Sequence, residues 1–186
     1  MPRKALLVID LQRGAFDGVR CSPIDEPEKL VDNARLLLAA ARKSATPVVF
    51  VQHCDAKGDV FEEGSVHGEL HDALAPQPGE SVLRKHTSSA FEGTDLTRIL
   101  EGLEARELIL CGLQSEYCVS NTAKDALAKG YIVTIAQDGH STWPSEGRSA
   151  NAIKQRVNEE LGHAGATLAK VKDLAGMLCD VKTVTS

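Results

Sequence analysis

Five consecutive apolar residues, Ala5 to Ile9, run straight into the carboxylate of Asp10. A run this short and this continuous suits a strand covered on both faces, since a strand with one wet face would alternate apolar and polar residues. Similar runs recur at residues 47 to 53 (Pro-Val-Val-Phe-Val-Gln-His), 81 to 85 (Ser-Val-Leu-Arg-Lys), 107 to 111, 131 to 136 and 167 to 171. Between the first two, residues 27 to 43 set Leu30, Val31, Ala34, Leu37, Leu38 and Ala41 at helical spacing, with Pro27 suited to a first turn. Further helices are expected from about 95 to 103 with Thr94 as cap, from Cys118 to about 129 with Gly130 ending it, from 145 to 161, and from 173 to 178. Residues 69 to 74 read as a short helical turn.

Strands alternating with helices imply right-handed crossovers, a parallel sheet and helices on both of its faces. The expected fold is therefore a doubly wound α/β domain of three layers, α/β/α, and residues 1 to 186 make a chain of single-domain size. In such sheets the site lies beyond the carboxyl ends of the strands, where strand order reverses. The strand reading alone brings Asp10, His53, Lys85, Cys118 and Asp138 to that edge.

Charge narrows the partners. The net charge of -5 is spread along the chain, with no basic block to neutralise phosphates, so nucleic acid is not an expected partner. Arg3 and Lys4 precede an apolar run too short for a signal peptide or a membrane span. A cytoplasmic protein away from membranes, acting on a small molecule, is expected. The five cysteines, at 21, 54, 111, 118 and 179, are odd in number and form no Cys-x-x-Cys pair, which points to free thiols and no structural zinc.

Most free cysteines are packing groups, and Cys111 and Cys179 fit that role. Cys21 and Cys54 lie in loops, Cys54 near enough to the expected site to line it. Cys118 is different: it follows a strand and a glycine-containing turn, placing it in the first turn of a helix. Unpaired N–H groups and the dipole there favour a thiolate and can receive an oxyanion. Lys85 would favour the thiolate further, and Asp10 could accept the thiol proton and return it to a leaving amine. Taken singly, Asp10 could equally be a loop carboxylate and Lys85 a solvated amine.

Three separated segments resemble the isochorismatase-like hydrolases: Leu6-Leu-Val-Ile-Asp-Leu-Gln12 with Phe16; Val82-Leu-Arg-Lys85 with Ser89-Ala-Phe91; and Cys111-Gly-Leu-Gln-Ser-Glu-Tyr-Cys118-Val119, then Asn121 to Asp125 and Gly130-Tyr131. The resemblance spans about residues 5 to 143. It implies an Asp10, Lys85 and Cys118 triad, a six-stranded mostly parallel sheet and a homo-oligomer. It further implies a cis peptide at Leu113-Gln114, oxyanion donors in the backbone N–H groups of Gln114 and Cys118, and substrate contacts from Gln12, Phe16 and His53. Family nicotinamidases hold a metal through an Asp-x-His and a further His, whereas this chain has Gln52-His53-Cys54-Asp55 at that strand end. No metal or other cofactor is therefore expected, although His53, Asp55, His67 and His71 are candidate ligands. Isochorismatases proper lack the nucleophilic cysteine and cleave a vinyl ether, so Cys118 points to amide chemistry on a carbamoyl compound, ureide, small carboxamide or lactam. A metal-assisted nicotinamidase, a redox thiol protein and a binding protein are the alternatives. Selectivity is expected from loops 12 to 26, 54 to 68 and 139 to 145, where Trp143 and His140 either face substrate or cover the sheet edge.

Overall fold

The computed structural model describes residues 3 to 179, so the ends of the expected domain, 1–2 and 180–186, lie outside it. The apolar runs become six strands: β1 (Arg3–Ile9), β2 (Val48–His53), β3 (Ser81–Lys85), β4 (Ala105–Gly112), β5 (Ile132–His140) and β6 (Thr167–Ala169). They pair in the order β3-β2-β1-β4-β5-β6, every pair parallel, which makes the six-stranded doubly wound sheet. The helices are α1 (Pro27–Lys43), α2 (Leu96–Gly102), α3 (Ser120–Ala128), α4 (Ala150–His163) and α5 (Val171–Cys179).

Strand pleating sends alternate residues to opposite layers. Leu6 and Val8, with Phe50 and Ile109, pack against Leu37 and Leu38 of α1 and Leu174 of α5. Leu7 and Ile9, with Val49, Leu108 and Val133, meet Leu96 and Leu100 of α2, Ala123 of α3 and Val157 of α4. Two dry cores sandwich one sheet, which is why the strands read as unbroken apolar runs. No helix among the described residues is long and apolar enough to cross a membrane.

Several boundaries differ from the sequence reading, and three of them shape the carboxyl edge of the sheet or the helices behind it. β5 continues to His140 through a register shift that brings His140 opposite Gly112. α4 begins at Ala150, five residues late, because Ser145 and Arg148 exchange backbone hydrogen bonds in a turn and Ser149 Oγ caps the helix by accepting from Ala152 N–H at 3.2 Å. β6 stops at Ala169 because the Val171 N–H is taken by Asp138 Oδ1 at 2.7 Å, starting α5. Asp138 thus caps a helix and stands apart from the site.

Two backbone positions fix the carboxyl edge of the sheet. Asp10 sits at φ 52°, a left-handed conformation that Asp tolerates better than most residues, and this ends β1. Gly112 has φ 130°, and a Cβ there would lie 1.9 Å from Ile9 O, so only glycine lets β4 close on β1.

Candidate active site

Sheet order reverses at β1, with β2 on one side and β4 on the other, and the turn after β4 carries Cys118 past the end of β1. That turn is one π-helical turn, Ser115–Val119, running directly into α3. The peptide bond Leu113-Gln114 before it is cis, as the resemblance implies. Leu113 is fully buried, while Gln114 borders the cavity described below and its N–H finds no acceptor among the described residues.

Lys85, at the end of β3, reaches under β2 to the centre of the group. Its ammonium donates to His53 Nδ1 at 2.8 Å, Thr87 O at 3.1 Å and Cys118 Sγ at 3.1 Å, which uses all three N–H groups. Asp10 Oδ2 stands 2.8 Å from the same nitrogen as its counter-ion, both side chains being fully buried. Neither Asp10 oxygen has a hydrogen-bond donor aligned on it among the described residues. The carboxylate is therefore a buried acceptor with free lone pairs beside a thiol.

The electrostatics correct the sequence reading of Cys118. Burial pushes its thiol up to about 11, and the Asp10 charge adds to this, while Lys85 pulls the other way without prevailing. Both burial and Asp10 favour the neutral thiol over the thiolate. Burial likewise raises Asp10 above the usual carboxylate range, opposed by Lys85. For Lys85 burial works against the charge, but the Asp10 carboxylate and the Cys118 sulfur outweigh it and hold the ammonium above its ordinary value. The arrangement sets one ammonium, one carboxylate and one thiol side by side.

Asp10, His53 and Cys118 offer ligand atoms within 4.8 Å of one another, the spacing of a metal site. The Lys85 ammonium, in contact with all three, occupies that position. Both His53 nitrogens are already engaged: Nδ1 lies 2.8 Å from the Lys85 ammonium and Nε2 lies 2.9 Å from Asp55 Oδ1. Neither His67 nor His71 joins a three-ligand group among the described residues. His67 pairs with Asp17, and His71 caps a short 3-10 turn and packs edge-on against Phe16.

A cavity of about 340 Å³ opens onto Asp10, Gln114 and Cys118. Its other walls are His53 and Asp55, the apolar Val60 and Phe61, and Cys21 and Trp143. Trp143 therefore faces the cavity. His140 does not: it is buried, its Nδ1 2.8 Å from Ser115 Oγ and its Nε2 3.0 Å from Asn158 Oδ1, so it ties the Cys118 turn to α4.

Two residues assigned to substrate lie elsewhere. Gln12 is fully buried, and its amide accepts from His53 N–H and donates to His53 O and Gly68 O, all within 2.8 Å. With its polar atoms engaged, it clamps β1 to the end of β2. Phe16 turns into a neighbouring cleft with Pro23, Pro27 and Val31. Cys54 also faces away, its sulfur near Glu63 and His86. Phe61 and Val60 went unread because their loop has no period, and only loop 54 to 68 as a whole marked them, while Asp55, read as a candidate metal ligand, lines the cavity instead.

The model of the isochorismatase domain matches residues 4–173. A streptothricin hydrolase from Streptomyces noursei is 37% identical over 140 residues, 75% of this chain and 50% of that protein. An N-carbamoylsarcosine amidase from Arthrobacter is 30% identical over 154 residues, 73% of this chain and 58% of that one. The chain thus spans about half the length of these curated relatives. The crystal structure of an isochorismatase from Pseudomonas putida superimposes with a TM-score of 0.85 at 29% identity, covering 92% of this chain and 89% of that one.

Proposed function

The chain belongs to the isochorismatase family of hydrolases, and from that premise we propose that it cleaves a small non-peptide amide C–N bond through a thioester on Cys118. The observation that carries this reading is the Lys85 ammonium 2.8 Å from Asp10 and 3.1 Å from Cys118, which joins a base and a nucleophile around one fixed charge. Asp10 takes the thiol proton as sulfur attacks the substrate carbonyl carbon. Lys85 stabilises the thiolate as it forms. The oxygen of the tetrahedral intermediate accepts hydrogen bonds from the backbone N–H groups of Gln114 and Cys118. Collapse breaks the C–N bond, and the Asp10 proton leaves with the amine or ammonia. Water, giving its proton to Asp10, then cleaves the thioester to a carboxylic acid and restores the thiol.

Amide substrates are also the chemistry of the N-carbamoylsarcosine amidase relative. The five unpaired cysteines support a cytoplasmic setting. A homo-oligomer belongs to the same reading, and light scattering would measure it.

The test is ammonia or amine release from a panel of small amides, ureides, lactams and nicotinamide, with intact-mass detection of acylated protein. Turnover that survives a chelator and is abolished by Cys118→Ala is the expected outcome. Chelator-sensitive turnover would favour metal-assisted chemistry, and full activity in Cys118→Ala would overturn the nucleophile. In Lys85→Ala, loss of the cation raises the Cys118 titration further, read as an alkaline shift of its alkylation profile; an unmoved profile would remove Lys85 from this role.

A further inference from the structure

The cavity wall is unbalanced in charge. Asp10 is neutralised by Lys85, which lies beneath the wall, but Asp55 adds a second carboxylate, and the lining contains no Lys or Arg. Asp55 is itself held in place: Oδ2 receives Phe61 N–H at 3.2 Å, and His53 Nε2 lies 2.9 Å from Oδ1. The side chain keeps 27% of its surface exposed, enough to meet a ligand.

Aromatic residues are scarce in this chain, at 4%, and it has one tryptophan; Trp143 and Phe61 nevertheless both line this cavity. Trp143 is anchored through Nε1, which donates to Ser22 O at 2.6 Å, so the ring itself is what it can offer a ligand. Aromatic faces attract cations, tryptophan most strongly. A fixed carboxylate with two aromatic rings and no opposing base is the lining that selects positive charge. The cavity, at about 340 Å³, admits only a small ligand.

We propose that the substrate is a small amide bearing a positively charged group, an ammonium or guanidinium, which Asp55, Trp143 and Phe61 receive while its carbonyl meets Cys118. This specificity rests on the amidase reading above, and its test separates the two. Cys118 is modified with three methanethiosulfonates, bearing a trimethylammonium, a methyl or a sulfonate group, and the rate is read on the Cys118 peptide by mass spectrometry. Each rate is taken relative to that of the same reagent with a free thiol, and Asp10 and Lys85 beside the sulfur offset one another, so a remaining cation preference has to come from the wall. The cationic reagent is expected to react roughly tenfold faster than the anionic one, and Asp55→Asn to bring the ratio several-fold closer to one. Equal or reversed rates in the unaltered protein overturn the proposal whether or not the variant folds. With matched amides, Asp55→Asn is expected to raise KM for the cationic member more than for the neutral one, with kcat changing less than KM. A best substrate that is anionic overturns the specificity and leaves the amidase reading standing. No hydrolysis and no acylation of Cys118, with the reagent preference intact, sinks the amidase reading and leaves the cation-selective pocket.

Discussion

At the residue scale, the site is governed by burial. A thiol near a lysine and a helix start reads in the sequence as an activated thiolate, yet removing it from water and setting it beside Asp10 pushes it to about 11. The misreading has a physical origin: the sequence names the charges near Cys118 but not how little water reaches them. The consequence for stability has a definite sign. An unfolded Cys118 releases its proton near the ordinary 9.0, whereas the folded thiol keeps it to about 11. Across that window the native state binds more protons than the unfolded one, so stability from this group is complete below pH 9 and is lost as pH rises toward 11. The loss amounts to about 2–3 kcal/mol for a two-unit shift, less whatever solvent reaches the sulfur. Urea midpoints between pH 8 and 10.5 should therefore fall more steeply in the unaltered protein than in Cys118→Ala. Parallel curves would show that the thiol ionises freely in the fold.

At the element scale, strand ends carry the site and the sequence displays them. Asp10, His53 and Lys85 each close an apolar run, and parallel pairing of β1, β2 and β3 sets their ends at one edge. What lies beyond a strand end is not legible in that way. Gln12 and Phe16 follow Asp10 closely, but the left-handed turn at Asp10 breaks the strand alternation, and one becomes a buried clamp while the other turns to a different cleft. The same edge depends on Gly112. In Gly112→Ala the new methyl would meet Ile9 O at 1.9 Å, a backbone atom in a central strand that cannot yield cheaply. We expect a loss of at least roughly 3 kcal/mol in denaturant unfolding, with turnover lost as the Cys118 turn is displaced. Gly147→Ala is the control: its φ of 72° is also left-handed, but nothing lies within 4 Å, so only the conformational term of about 1 kcal/mol remains. Equal effects at the two glycines would mean that β4 is not pinned to β1.

At the scale of the whole molecule, the doubly wound order could be inferred from the alternation of elements, because each crossover obeys one handedness. The pocket wall could not, since Asp55, Phe61 and Trp143 are placed by loops whose course depends on packing and not on period. The sheet that carries these loops has its most extensive pairing at β1 with β4, and Cys111 sits within it, fully buried with its sulfur 3.7 Å from Leu7 O. Desolvation alone lifts that thiol to about 12. A reagent can reach Cys111 only when β4 leaves its neighbours, and β4 has parallel partners on both sides and a dry core above and below. Separating it dismantles both layers together. Labelling of Cys111 under native conditions should then report global opening, with a free energy equal to that from denaturant unfolding, while exposed Cys179 labels without any opening. Cys111 labelling markedly faster than global unfolding would mean that the sheet parts between β4 and β5 or β1 while the rest stays folded, and that the Cys118 turn rides on the less stable half.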